Sequence, residues 1–404
     1  MSQKTWGITL LVLAFIVLGF VAYKNSSKRQ VPIIFSPRGE LLALWEEYKK
    51  EYLEPGTFRV LDKQKDFVTT SEGQSYAMLR AVWLGDKETF DNVWQWTKDN
   101  MRRSDNQLFS WLFGRLPDGT YGILKDQGGL NTATDADVDI ALALVFASSR
   151  WNEDEYLGDA YVIIDKIWDE EVVTIGGKPY LAANNLEKGA PTNIVINPSY
   201  FAPYAYRLFS HLDPDHPWMQ LVDTSYDVID RSLDSNLNTS SSAGIPPDWI
   251  FMNKRTGAIS APQNKDLTTN MSFDALRMPW RIALDWQWYK EPRAEKVLTK
   301  MKFLSDEWNN NSLLFTNYTH DGEPALRNQS AAFYGGTIGY FMVADPDAGK
   351  MIYDNKLQIL FNPDTNNWKV KLGYYDDNWA WFGIALYNDL LPNLAEQITK
   401  PRPQ

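Results

Sequence analysis

Cysteine is absent from all 404 residues, which excludes a disulfide framework, a thiol nucleophile and a cysteine-linked lipid anchor. Histidine is almost as scarce. His211, His216 and His320 are the whole supply, too few for a histidine-based metal cluster or a serine–histidine–aspartate triad. The net charge is −11 with no dense run of lysine and arginine in the body, so nucleic acid is not an expected partner. No proline- and glycine-rich linker interrupts the body, and no internal repeat marks a solenoid. Neither a metal nor an organic cofactor is expected.

Aromatic residues are abundant instead, with 17 Trp, 20 Tyr and 19 Phe. Two readings fit the surplus: a bulky core, or flat rings on which sugars stack. The other conspicuous stretch is Trp6 to Tyr23, an unbroken uncharged run. As a helix it spans about 27 Å, one bilayer core. Residues 1–30 are therefore expected to form an uncleaved anchor and short linker, with a cleaved signal peptide as the alternative reading. Residues 31–398 are expected to form one domain, and 399–404 a disordered tail.

The body alternates between two kinds of helical pattern. Amphipathic, charged segments such as Gly39 to Tyr52 are followed by segments apolar on most faces, such as Tyr76 to Leu84 and Trp379 to Tyr387. The periodicity predicts helices over 38–52, 72–84, 87–100, 135–149, 153–168, 199–211, 217–233, 274–289, 293–309, 330–343, 346–353 and 377–390. Surface and buried types alternate six times. Connections from surface to buried helix are mostly long, about 19 to 40 residues, and the return connections are short. If successive helices are antiparallel, every long loop and every N-terminus of a buried helix lies on one face. The simplest closed arrangement is all-α, an (α/α)6 barrel of six inner and six outer helices. A small hairpin is expected around Asn362-Pro-Asp.

The buried helices start alike. Thr70 and Ser71 precede Glu72, Thr134 precedes Asp135, and Ser272 precedes Asp274. In the second of these stretches Thr134 reads as the N-cap, with Asp137 as a capping-box acid. Three carboxylates thus converge on the mouth of one barrel, among loops carrying Trp111, Tyr121, Tyr180, Tyr200 and Trp249. Deep anionic clusters are costly unless paired or given a task. Two carboxyls facing across an aromatic-walled cleft suit cleavage of a glycosidic bond. One must keep its proton, which burial favours, while its partner stays ionised. Arg277 and Arg281 follow Asp274 on its own helix and would hold it charged, or form ordinary intrahelical pairs. On this reading Glu72 donates the proton and Asp274 is the base.

Four ordered blocks carry a family resemblance: Ser71-Glu-Gly-Gln-Ser-Tyr76, Ala133-Thr-Asp-Ala-Asp continuing to Trp151, Asn197-Pro-Ser-Tyr200, and Phe273-Asp-Ala-Leu-Arg277. Together they resemble glycoside hydrolase family 8 over about residues 57 to 392. The resemblance implies an (α/α)6 barrel that cleaves β-1,4-linked polysaccharide with inversion, Glu72 as general acid and Asp274 as general base. It implies that Asp135 holds and distorts the sugar, and that Trp111, Tyr200 and Tyr375, with Arg277, contact substrate. The acid at position 274 is similar to the group holding cellulases, mixed-linkage glucanases and xylanases, and weakens a chitosanase reading.

The expected partner is accordingly a polysaccharide, cellulose-like, mixed-linkage or a bacterial exopolysaccharide, with xylan or chitosan as the alternative. A membrane-anchored enzyme of this type suggests association with an exopolysaccharide synthase. A non-catalytic polysaccharide-binding component of such a complex is the rival reading. Lys24, Lys28 and Arg29 outnumber Lys4 across the apolar run, which alone would keep the body in the cytoplasm. The polymer lies outside, so the expected location is the cell envelope or periplasm, or the medium if the segment is cleaved.

Overall fold

Inner and outer helices alternate along the chain, as the periodicity requires. The computed structural model describes residues 36–238 and 241–396; the apolar run Trp6 to Tyr23 and the tail from residue 399 lie outside them. Among the described residues, no helix is long and apolar enough to cross a membrane.

The outer helices are α1 (Pro37–Tyr52), α3 (Lys87–Asn100), α5 (Asp154–Glu171), α7 (Trp218–Asp234), the pair α9 (Pro292–Lys300) and α10 (Lys302–Asn311), and α12 (Pro346–Ile352). The inner helices are α2 (Ser71–Leu84), α4 (Thr134–Trp151), α6 (Pro203–Leu212), α8 (Arg277–Tyr289), α11 (Ala331–Ala344) and α13 (Tyr374–Tyr387). Inner helices pack in the order α2, α4, α6, α8, α11, α13. The ring closes between α13 and α2, where Tyr76 lies edge-on to Trp379 and Phe382. There Arg80 Nη1 also donates to Asp377 Oδ1 and Asn378 Oδ1, each at 3.1 Å. Each outer helix packs on its own inner neighbour: α3 on α2, α5 on α4, α7 on α6, α9 on α8, α12 on α11 and α1 on α13. This is the (α/α)6 barrel.

The core is largely aromatic. Trp83, Phe146, Trp280, Trp379 and Phe382 meet at edge-to-face or tilted angles around the barrel axis. Helices α11 and α13 approach closely because Gly335 and Gly383 face each other. A β-carbon on Gly335 would sit 1.9 Å from the Trp379 carbonyl oxygen, well inside any van der Waals contact.

The acids opening α4 show why an apolar inner helix tolerates three of them. Asp135 and Asp139, four residues apart, lie on one face. They meet Arg277 and Arg281, four apart on α8, at 2.8 Å and at 2.9 and 2.6 Å. Two rungs in the same order on both helices require that these inner helices run parallel, which places their N-termini at one end. Asp137 points the opposite way. Its Oδ1 accepts the Phe109 amide at 3.1 Å, and its other oxygen faces Glu171 of α5. Thr132 donates to Glu171, and both acids are fully buried.

Burial holds the Glu171 carboxyl up at about 7, against the hydrogen bond from Thr132, and holds Asp137 well above the carboxylate range. An acid raised on folding adds stability that is complete below its ordinary value near 4.5 and is lost as pH rises through about 7. The full effect is on the order of 3 kcal/mol. Glu171→Gln supplies a permanently neutral donor to Asp137. The melting temperature of the native chain should therefore fall relative to this variant between pH 5 and 8, on the order of a few degrees. Parallel pH profiles of the two would remove the shared-proton account.

Several elements differ from the periodicity. Thr134 is not the N-cap of α4: Ala133 is, and the Thr134 hydroxyl donates to the Ala182 carbonyl at 2.8 Å. Asp137 is no capping-box acid, being drawn to Phe109 and Glu171. Helix α6 starts at Pro203, not 199. Residues Pro198–Tyr200 form a separate 3-10 turn, and the residue before a proline disfavours helical geometry. Helix α8 begins at Arg277, and the turn that leads into it is held by Asp248, which accepts the Ser272 and Ala275 amides. The predicted helix 293–309 is two helices that meet at Met301, and α13 starts three residues early.

All the long connections carry short antiparallel strands. They include the sheet of β1 (Thr69–Thr70), β2 (Leu112–Arg115) and β3 (Tyr121–Ile123), and the hairpin of β4 (Val172–Ile175) and β5 (Lys178–Leu181). A second three-stranded sheet joins β6 (Asn193–Ile196), β7 (Ile250–Asn253) and β8 (Ile259–Ser260). Two-stranded pieces follow: β9 (Asn317–Tyr318) with β10 (Pro324–Leu326), and β11 (Phe361–Asn362) with β12 (Asn367–Trp368), the last being the hairpin expected around residue 362. Sheets β1–β3 and β6–β8 each join strands from different connections, so neighbouring loops brace one another around the open end of the barrel.

Candidate active site

Strand β1 leads directly into α2. Thr70 caps that helix by accepting the Gly73 amide at 3.0 Å, which sets Glu72 in the first turn facing the open end. Asp135 occupies the same place on α4. Asp274 stands on a turn just before α8, and Asp376 in the first turn of α13. Helix N-termini favour negative charge, so the barrel itself makes this end receptive to acids. A cavity of about 680 Å3 opens above them, lined by Glu72, Asp135 and Asp274 together with Trp111, Tyr200, Trp249, Phe273 and Tyr375.

One guanidinium holds the three acids. Arg277 Nη1 donates to Glu72 Oε2 at 2.5 Å and to Asp135 Oδ2 at 2.8 Å; its Nη2 donates to Asp274 Oδ1 at 2.6 Å. The Nε donates to the Asp274 carbonyl at 3.1 Å, and the guanidinium stacks on Tyr200 at 5.1 Å. Arginine suits this task because its donors are fixed in a plane and it stays charged. Arg277 and Asp135 are almost wholly buried, whereas the side chains of Glu72 and Asp274 remain 23% and 33% exposed toward the cleft. Asp135 Oδ1 has no hydrogen-bond partner among the described residues.

Three acids share one cation, so the cluster carries an excess of negative charge. Burial pushes the Glu72 carboxyl up to about 7; Arg277 opposes this, and the Asp135 and Asp274 carboxylates add to it. Asp274 is raised too, by burial first, with Asp135 adding to it. Against that rise stand Arg277, the Asn197 side chain and the Trp249 indole. The expectation that arginine alone holds Asp274 charged is thus corrected: the pull is there, but burial outweighs it. What distinguishes the two acids is their polar surroundings. Asp274 has the Asn197 side chain and the Trp249 indole beside it in addition to Arg277, groups that favour its charged form.

Other expectations change as well. Arg281 does not touch Asp274; it makes a paired contact with Asp139 and donates to the Tyr204 hydroxyl at 2.8 Å. Arg277 lies beneath the carboxylates and not on the cavity wall, which removes it as a direct sugar contact. Trp111, Tyr200 and Tyr375 are on the wall, and Trp111 is fixed by its indole donating to the Gly128 carbonyl at 2.9 Å. Tyr121 and Tyr180 are not on it: Tyr121 projects to solvent beside Arg59, and Tyr180 is buried under α7. The aromatic surplus therefore serves both purposes, core and wall. Sequence reasoning missed Asp248, the Asn197 side chain beside Asp274, and Lys65 on the cavity rim. All sit in long connections, where no periodicity points at a side chain. The adjacent Pro246-Pro247-Asp248-Trp249 was the available signal, an acid and a ring stiffened by two prolines.

A family model described as Glycosyl hydrolases family 8 matches residues 31–369. Endoglucanase 2 of Ruminiclostridium josui is 29% identical over 370 residues, covering 89% of this chain and 73% of its own. The crystal structure of endo-1,4-D-glucanase from Vibrio fischeri superposes with a TM-score of 0.69 at 24% identity, covering 86% of this chain and 94% of that one. A cold-adapted family 8 xylanase in complex with substrate superposes with a TM-score of 0.73 at 16% identity, covering 89% and 93%.

Proposed function

This chain belongs to glycosyl hydrolases family 8 and is a glycoside hydrolase, and on that premise we propose that it is an endo-β-1,4-glucanase acting with inversion. The observation that carries the reading is the set of three acids gathered by Arg277 under one aromatic-walled cleft. Glu72 protonates the glycosidic oxygen as the bond to the anomeric carbon breaks. Asp274 takes a proton from a water that attacks that carbon from the opposite face, giving the inverted hemiacetal. Inverting pairs stand about 6.5–9.5 Å apart, leaving room for the water, and retaining pairs about 5–5.5 Å. The shared guanidinium limits the separation of these two acids to about 7 Å and does not choose between them, so inversion is the part of the reading that the product anomer tests. Asp135, anchored by one oxygen to Arg277 and with the other unpartnered, accepts a sugar hydroxyl and holds the ring at the cleavage point. Trp111, Tyr200 and Tyr375 supply faces for sugar stacking.

The name endoglucanase borne by relatives such as that of R. josui favours a β-1,4-glucan over xylan. The apolar run Trp6 to Tyr23 supports attachment to a membrane, and a polymer that lies outside the cell favours the catalytic domain on the outer side. That location favours trimming or release of a polymer as it leaves a synthase. One experiment addresses both points. Washed membranes of cells producing the full chain should release reducing sugar from carboxymethyl cellulose, and NMR of the first products on cello-oligosaccharides should show the α-anomer. Retained β-configuration excludes the inverting assignment. Activity on xylan alone excludes the glucan, and activity found only in the medium excludes the anchor.

A further inference from the structure

Asp248 is a buried acid in the connection between α7 and β7, 2% exposed, with no basic partner among its hydrogen bonds. All of its side-chain bonds go to the turn that carries Asp274. Its Oδ1 accepts the Ser272 amide at 3.0 Å and the Ala275 amide at 2.8 Å. Its Oδ2 meets the Ser272 hydroxyl. The carboxylate thus does for the start of α8 what a local N-cap does for α2, but from a different loop. The next residue, Trp249, turns its indole to the Asp274 carboxylate itself and packs against Tyr200 at 5.7 Å. Main-chain bonds from Asp248 to Asn270 (2.7 Å) and from Trp249 to Thr268 (3.0 Å) lock the two loops together. One dipeptide therefore holds the turn from behind and its functional group from the side.

We propose that Asp248 is the positioning residue of the general base: it fixes the turn at residues 272–275 so that Asp274 meets the attacking water. The proposal rests on the reading of Asp274 as base. Burial and the charge of Asp274 raise the Asp248 carboxyl to about 7. The groups that face Asp274 are Arg277, Asp135, Glu72, Asp248 and the phenols Tyr200 and Tyr375. Of the pair Asp248 and Asp274, only Asp274 touches Arg277. A proton shared by the two therefore resides on Asp248, where the Ser272 hydroxyl can accept it, and Asp274 stays ionised for its task.

Two variants test this. In Asp248→Ala the turn loses three bonds. Because a misplacement of about 1 Å is enough to slow chemistry by about 100-fold, kcat should fall at least about thirtyfold while KM stays within about threefold. Asp248→Asn keeps the oxygen that accepts the Ser272 and Ala275 amides. Its kcat at the optimum should recover to within about threefold of the native value, and the acidic limb of kcat/KM should stay in place, because asparagine is as neutral as the protonated Asp248 it replaces. A merely structural role lowers the melting temperature without splitting kcat from KM. Native kinetics in Asp248→Ala, equal loss of kcat and affinity, or an Asp248→Asn variant as slow as the alanine variant overturns the proposal. If the alanine variant does not fold, Asp248→Ser, which shortens the acceptor, replaces it with the same expected split between kcat and KM. Azide, which attacks without needing a base, separates this test from the reading beneath it. Failure of azide to restore turnover of an aryl cellobioside by Asp274→Ala removes the base assignment. Rescue there, with native kinetics in Asp248→Ala, removes only the role of Asp248.

Discussion

Replacing Glu72 with glutamine is expected to lower turnover of a β-1,4-glucan by about 1,000-fold or more, at the upper end of what general acid catalysis supplies. The alkoxide leaving an unactivated sugar is too basic to depart without a proton, and no other acid in the cleft has both the position and the raised carboxyl of Glu72. The loss should be selective for the leaving group. An aryl cellobioside with a dinitrophenolate leaving group needs no proton, so its hydrolysis should fall by about tenfold or less. In the native enzyme kcat/KM should decline as pH rises through about 7, where Glu72 loses its proton. For the aryl substrate that decline should disappear. Thermal stability at pH 6 should stay within about 1 kcal/mol, because Glu72 is mostly protonated there and glutamine keeps an acceptor for Arg277. Full activity on glucan, or an equal loss on both substrates, would refute the donor role.

Why this site was visible in the chain before any coordinates is a matter of which interactions are local. The cap of α2 is local: Thr70 reaches an amide three residues on, so Glu72 could be placed at a helix start by inspection. The apolar girth of α4 and α13 is likewise a property of consecutive residues, and the alternation with amphipathic segments dictates two rings. The length of the outer-to-inner connections then puts the acids at one end. What was not visible depends on residues far apart. Asp137 resembles a capping-box acid from its neighbours alone, but Glu171, across from it on α5, claims it. Arg281 is spaced to reach Asp274 on an ideal helix, yet α8 starts only at Arg277, which leaves Asp274 on a turn. Arg281 then faces Asp139 one rung deeper. The turn that carries Asp274 is in its own case held from a distance, by Asp248. The barrel was therefore legible from periodicity, the acids from their caps, and the division of labour among their partners only from the ion pairs that join α4 to α8 inside the ring.

Asp274→Asn is expected to abolish hydrolysis of glucan and aryl cellobioside alike, by about 100- to 10,000-fold. A good leaving group does nothing for a water that still needs a base. That symmetry separates it from Glu72→Gln, whose defect an activated substrate relieves. Affinity for a cello-oligosaccharide, measured calorimetrically, should stay within about threefold, since the stacking faces and Asp135 are untouched. Loss of binding in step with turnover would make Asp274 a sugar ligand and leave the base unassigned. Stability supplies an independent sign. Glu72, Asp135 and Asp274 share the single cation of Arg277, so at neutral pH the native cluster holds more negative charge than it can balance. Asparagine removes one charge and keeps an acceptor for Nη2. A residue present for catalysis should therefore yield a variant at least as stable as the native chain, by up to about 1 kcal/mol, the usual relation where a site is built for function and not for folding. A residue present to secure Arg277 should yield the opposite, because a fully buried guanidinium losing a charged partner is destabilised. The direction of the melting-temperature change, read beside the two rate constants, distinguishes these roles without reference to any substrate complex.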